Sequence, residues 1–212
     1  MSQTYPSPLL SHRRMDVLVH LVGIAFILIA GAMLIRNVAA LGTGKMVLAV
    51  VIYVLCVFSS FLSSCLYHFA PWHSQRKFLR RIDHSAIYLS ISGTFTPFFL
   101  LANTSWTLAL FGLCWGLTVV AVYKKLTDHN VKSRWSTASY LGLGAIGLCA
   151  LPDLAGTPPQ TLWFALAGAG CFVIGTVFYA RKQMPFRYAI WHCFVIIGDM
   201  FMFASIWMAV GA

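Results

Sequence analysis

The sequence predicts an all-α polytopic membrane protein: a bundle of seven transmembrane helices with the N-terminus in the cytoplasm and the C-terminus outside. Three observations predict it. Of 212 residues, 59% are hydrophobic and only 9% are charged, against about 25% charged in an average soluble domain. The apolar residues fall into seven separate runs. The basic residues, 15 Lys and Arg against 5 acids, are distributed very unevenly among the connections between those runs. Together these exclude an ordinary soluble enzyme, a disordered tail and a solvated repeat.

A helix that crosses the hydrocarbon core needs about 20 mostly apolar residues. The runs are 17–35, 46–67, 85–101, 106–123, 136–151, 162–180 and 189–210. The first lacks a small-residue cleavage site soon after it and reads as a retained helix, not a signal peptide. A break beginning at Leu41 closes it. Asn103 and Thr104 close the third, and the stretch from Pro152 to Pro159 separates the fifth from the sixth. The fifth is short and carries Gly142, Gly144 and Gly147. No connection is long enough for a soluble domain. Residues 1–14 read as a cytoplasmic tail and residues 15–212 as a single membrane domain. Short alternating segments of the kind that build membrane β-barrels are not visible.

Thirteen of the fifteen basic residues lie on the N-terminus and the even-numbered connections, among them Arg76, Lys77, Arg80, Lys124, Lys125 and Arg187; Arg36 and Lys45 lie opposite. The positive-inside rule then sets the orientation. In a bacterial cell this means the inner, plasma membrane. The net charge of +10 is therefore a topology signal and not a nucleic-acid footprint. The partners expected are membrane lipids, including anionic headgroups; no protein partner is implied. The six cysteines form no CxxC pair and read as small apolar residues without a disulfide framework.

The rare polar groups of the spans converge on one layer. Asp16 and His20 open the first helix, His68 closes the second, Asp83 and His84 open the third, and Tyr188 and His192 open the seventh. Ionisable side chains in a span are costly and face the bundle interior or a cavity. Ser64 and His68 are spaced i, i+4 and share a helix face, as do Tyr188 and His192. Imidazole nitrogen and carboxylate oxygen are zinc ligands, so His68, His192 and Asp83 are candidates for one site across three helices. His20 and His84 are further cavity candidates, whereas His12, His73 and His129 read as interfacial. Asp199 lies seven residues beyond His192, about 10 Å deeper at about 1.5 Å per residue. That is too far to share the metal, so it reads as a separate cavity residue or proton relay. Asp128 and Asp153 read as loop residues.

Several strings resemble the hemolysin III family: Ser64-Cys-Leu-Tyr-His68, Arg80-Arg-Ile-Asp-His-Ser-Ala-Ile-Tyr88, Gly93-Thr-Phe-Thr-Pro97, Gly175-Thr-Val-Phe-Tyr179 and Ala189-Ile-Trp-His-Cys-Phe-Val195, with His20 and Gly23 on the first helix. That family belongs with the progestin and adipoQ receptors and is more distantly similar to alkaline ceramidases. The resemblance implies seven helices, a cytoplasmic N-terminus and a zinc ion near the cytoplasmic side. It implies ligands from one His of helix 2 and two of helix 7, with a helix-2 Ser and a helix-3 Asp holding the zinc-bound water. Carried over, these are His68, His192, Ser64 and Asp83.

The chain departs from that pattern at the first helix-7 ligand, where Tyr188 stands. A tyrosine must lose a proton of pKa near 10 before it binds metal. Met202 occupies the place of a further family His, Asp199 that of a small residue, and Arg13 that of an acid for which Asp16 is a partial substitute. The resemblance implies a zinc-dependent hydrolase of lipid amide or ester bonds, with Asp83 as general base and Ser64 as hydrogen-bond partner, or a divergent derivative with a weakened metal site. The alternatives are a non-enzymatic, receptor-like protein of membrane-fluidity homeostasis, and a proton-coupled channel or transporter. The family name implies cytolysis, but the sequence displays no amphipathic pore-forming segment.

Overall fold

The computed structural model of the chain describes residues 5–41, 44–127 and 133–211. Asp128 and His129, named above, lie outside the described residues. Among the described residues there are seven long helices: α1 Leu10–Ala40, α2 Gly44–Phe69, α3 Arg76–Ala102, α4 Ser105–Thr127, α5 Ser133–Leu148, α6 Pro159–Ala180 and α7 Arg187–Val210. Each of the seven spans is long and apolar enough to cross a membrane, the fifth only when the 3-10 turn Leu151–Leu154 is counted with α5.

The helices outrun the apolar runs, because hydropathy detects the greasy middle of a span and not its polar ends. α3 begins nine residues before the run that announces it, through Arg76, Lys77, Arg80, Arg81, Asp83 and His84. α1 has 31 residues, about 46 Å at 1.5 Å per residue, against a hydrocarbon core of about 30 Å. Its polar first turns therefore reach the interface. Asn103, in the left-handed region at φ 51°, ends α3, a conformation that asparagine tolerates.

Around the bundle, α1 packs on α2, α2 on α3, α3 on α5, α5 on α6, α6 on α7 and α7 on α1. α4 lies outside this ring, against α3 and α5, while α3 also reaches across to α7. Lipid tails are as apolar as leucine, so helices associate through close packing and interhelical hydrogen bonds. Both are present. A Cβ added at Gly93 would lie 2.5 Å from Cβ of Cys56, and one at Gly168 would lie 2.9 Å from the backbone oxygen of Gly198. Ser92 and Thr118 share a hydrogen bond of 2.7 Å between α3 and α4. The core is filled by Tyr53, Phe98, Phe99, Ile27 and Leu34, all essentially inaccessible. The cysteines are all free thiols. Cys114 is buried, whereas Cys149 and Cys193 are exposed on the outer surface of the bundle.

The alternation of the helices brings the N-terminus, the end of α2, the start of α3 and the start of α7 to one end. Arg76 fastens this end. It is buried and donates to the carbonyls of Tyr67 and Ala70, the latter at 2.6 Å. A carbonyl of the last turn of α2, and the one just beyond its end, are thereby satisfied.

Candidate metal centre

Three imidazoles meet at the N-terminal end of the bundle. His20 comes from α1, His68 from α2 and His192 from α7, and all three are buried. Their ligand nitrogens lie within 4.8 Å of one another. The ring centroids of His20 and His192 are 4.1 Å apart, and each lies about 5 Å from that of His68.

The rings of His20 and His192 are oriented through Nδ1. His20 Nδ1 donates to the backbone carbonyl of Asp16 at 2.7 Å. His192 Nδ1 donates to the carbonyl of Tyr188 at 2.8 Å. Both acceptors sit four residues earlier on the same helix, so the helix itself aims the ring. His68 Nδ1 faces the carboxylate of Asp16 at 3.9 Å. Outer hydrogen bonds of this kind fix the tautomer of a metal-ligating histidine and raise its basicity.

Proton counting follows from those partners. A carbonyl oxygen only accepts, so Nδ1 of His20 and of His192 each carries a hydrogen, and in the neutral ring Nε2 is left with its lone pair. Both lone pairs converge on Ser64: its Oγ lies 2.9 Å from His20 Nε2 and 3.1 Å from His192 Nε2. One hydroxyl proton cannot serve both, and the Ser64 hydroxyl also faces the carboxylate of Asp83 on α3. The site therefore has an excess of inward lone pairs, which a cation satisfies. Three imidazole nitrogens beside a hydroxyl and a carboxylate fit zinc, which takes His nitrogen and carboxylate oxygen.

Of the residues named from the sequence, His68, His192, Ser64 and Asp83 share this site. Asp83 reaches it through Ser64 and is not in the imidazole trio. The trio is completed by His20, named above only as a cavity candidate. Tyr188 lies beside the site. Its ring packs 5.0 Å from that of His68 under the guanidinium of Arg187, 4.4 Å away. His84 is not one of the trio, and its backbone carbonyl accepts from Tyr140 Oη at 2.8 Å.

Three residues escaped sequence reasoning. Ser7, nearly inaccessible, donates to Asp16 Oδ2 at 2.5 Å. Tyr5 sits beneath the guanidinium of Arg13 at 4.6 Å and edge-on to His73. The segment before α1 is thus folded onto the end of the bundle. The only sequence cue was the i, i+4 spacing of Asp16 and His20. A third is Tyr53 of α2, buried within electrostatic reach of Asp199. Tyr53 is fully buried and its hydroxyl has no hydrogen-bond partner, while Asp199 is 3% exposed.

Comparison with known proteins places the chain in a family. The family described as "Haemolysin-III related" matches residues 10–203. "Hemolysin-3" of Bacillus cereus is 30% identical over 192 residues, covering 89% of this chain and 87% of that protein. "Hemolysin-3 homolog" of Bacillus subtilis (strain 168) is 31% identical over 199 residues, covering 89% of each. The chain is therefore a multi-pass integral membrane protein that belongs to the haemolysin-III related family.

Proposed function

We propose that the protein is a zinc-dependent hydrolase of lipid amide or ester bonds, working at the cytoplasmic face of the plasma membrane. The observation that carries this reading is the convergence of His20, His68 and His192 on Ser64, with Asp83 behind it. These three histidines would hold the ion. When bound, zinc supplies a Lewis acid that polarises a carbonyl and lowers the pKa of water toward about 7.

The remaining work falls to the chain itself. Asp83 is the base that takes the proton from the attacking water, since its carboxylate flanks the site without belonging to the imidazole trio. Ser64 orients that water and offers a hydroxyl to the developing oxyanion. Asp16 and the Tyr188 carbonyl hold the rings in register. The charge asymmetry of the connections supports a cytoplasmic position for this end, at the depth of lipid headgroups and carbonyls.

The test is release of fatty acid from N-acyl and O-acyl lipids by zinc-loaded protein in nanodiscs. The expected result is turnover that a chelator abolishes and that Asp83→Asn lowers about 10²–10⁴-fold, the range for general acid–base catalysis. No release from either lipid class by folded, zinc-loaded protein contradicts the reading.

One observation favours a second reading, proton-coupled transport: Asp199 is a buried carboxylate deeper in the bundle on the α7 that carries His192, and Tyr53 of α2 is a buried hydroxyl without a hydrogen-bond partner. It predicts pH-driven flux in proteoliposomes that Asp199→Asn abolishes. Identical flux with and without protein disposes of it.

A further inference from the structure

A groove of about 480 Å³ runs between α4 and α5 on the outer surface of the bundle, within the range of about 300–1,000 Å³ for small-molecule sites. It exists because α5 packs on α3 and only loosely on the peripheral α4. Its floor includes Gly142, where an added Cβ would meet nothing within 4 Å. Toward the bilayer centre its walls are apolar, with Leu117 from α4 and Leu143 from α5.

At the end shared with the N-terminus the groove turns cationic. Lys124 and Lys125 line it there. Lys125 is 8% exposed, and its Nζ donates to Oγ of Ser136 at 2.5 Å. Its other close charged neighbour is Arg80, of like sign. Among the described residues no carboxylate lies within ion-pair distance of Lys124 or Lys125. A buried ammonium without a counter-ion is costly, and Ser136 is neutral. Among the described residues this ammonium has only a neutral partner, and a bound anion would compensate it.

We propose that this groove binds an anionic glycerophospholipid, with the phosphodiester at Lys124, Lys125 and Ser136 and an acyl chain along Leu117, Gly142 and Leu143. Basic pockets between helices at the cytoplasmic side are suited to such headgroups, and the apolar continuation selects a tailed ligand over a free anion. The site is separate from the histidine cluster and does not depend on the metal.

The test is native mass spectrometry of the delipidated full-length protein. The probes are palmitoyl-oleoyl phosphatidylglycerol, phosphatidylcholine with the same chains, oleate and inorganic phosphate. Wild type is expected to retain phosphatidylglycerol over phosphatidylcholine. Lys125→Gln lowers that retention about fivefold, the worth of one basic residue near an anionic lipid. Gly142→Leu lowers it comparably by filling the groove while every charge remains. Lys77→Gln, an exposed basic residue at the same end, leaves it unchanged, and all variants keep the metal content of wild type.

Equal retention of the two phospholipids by wild type overturns the proposal. So does undiminished phosphatidylglycerol in Gly142→Leu, which also decides the matter if Lys125→Gln does not fold. Binding of oleate or of inorganic phosphate as strong as that of phosphatidylglycerol overturns it as well, in favour of a fatty-acid or a bare anion site.

Discussion

Nε2 of His20 lies 2.9 Å from Oγ of Ser64, across 44 residues of chain. The same oxygen lies 3.1 Å from Nε2 of His192, so one hydroxyl stands between an imidazole of α1 and an imidazole of α7. Ser64 is a neighbour of the proposed ion and not one of its three nitrogen ligands. Ser64→Ala is therefore expected to keep the zinc stoichiometry of wild type while lowering turnover about 10²–10³-fold, the usual cost of removing an oxyanion donor. Elemental analysis paired with the fatty-acid release assay separates the two effects. Loss of metal would make Ser64 a ligand.

Asp16 acts at one remove. Its carboxylate accepts from Ser7 and faces Nδ1 of His68, and its carbonyl accepts from His20. Asp16→Ala removes the first two contacts and leaves the third. Zinc affinity should fall about 10–100-fold, as for other outer-layer partners of metal-bound histidine. Chelator competition measures it. Release of Ser7 should also expose the segment before α1 to limited proteolysis.

Tyr188→His tests whether the site is already complete. With His20 supplying a nitrogen, the variant should bind no more zinc than wild type. A change from none in wild type to one in the variant would identify wild type as a degenerate site.

The α6–α7 contact depends on small residues. At Gly168 an added Cβ would lie 2.9 Å from the backbone oxygen of Gly198, whereas at Gly170 it would meet nothing. Gly168→Ala should destabilise by about 1–3 kcal/mol, as overpacking does. Gly170→Ala should be neutral or slightly stabilising, because alanine is the better helix former. Thermal unfolding in one detergent compares them; equal shifts would contradict the packing account.

The seven helices were legible because each carries a long apolar run, and hydropathy reads such runs directly. The start of α3 was not: Arg76, Lys77, Arg80 and Arg81 look like a loop to a hydropathy window, yet they form regular helix above the apolar core. For the site, helix ends show which residues share a depth, so His68, Ser64, Asp83 and His192 could be grouped. Spacing within one helix does not show which neighbour a face meets. The meeting of His20 with His192 needed the packing of α1 against α7. Lys125 was legible only as a topology marker, because its partner Ser136 lies across a connection from it.

The most direct measurement is the zinc content of purified protein after saturation and removal of free metal, for wild type and for His20→Ala. The expected result is about one equivalent of zinc in wild type and almost none in folded His20→Ala, since three nitrogens make up the proposed ligand set of a catalytic site. Wild type without zinc, or His20→Ala retaining a full equivalent, would contradict the account.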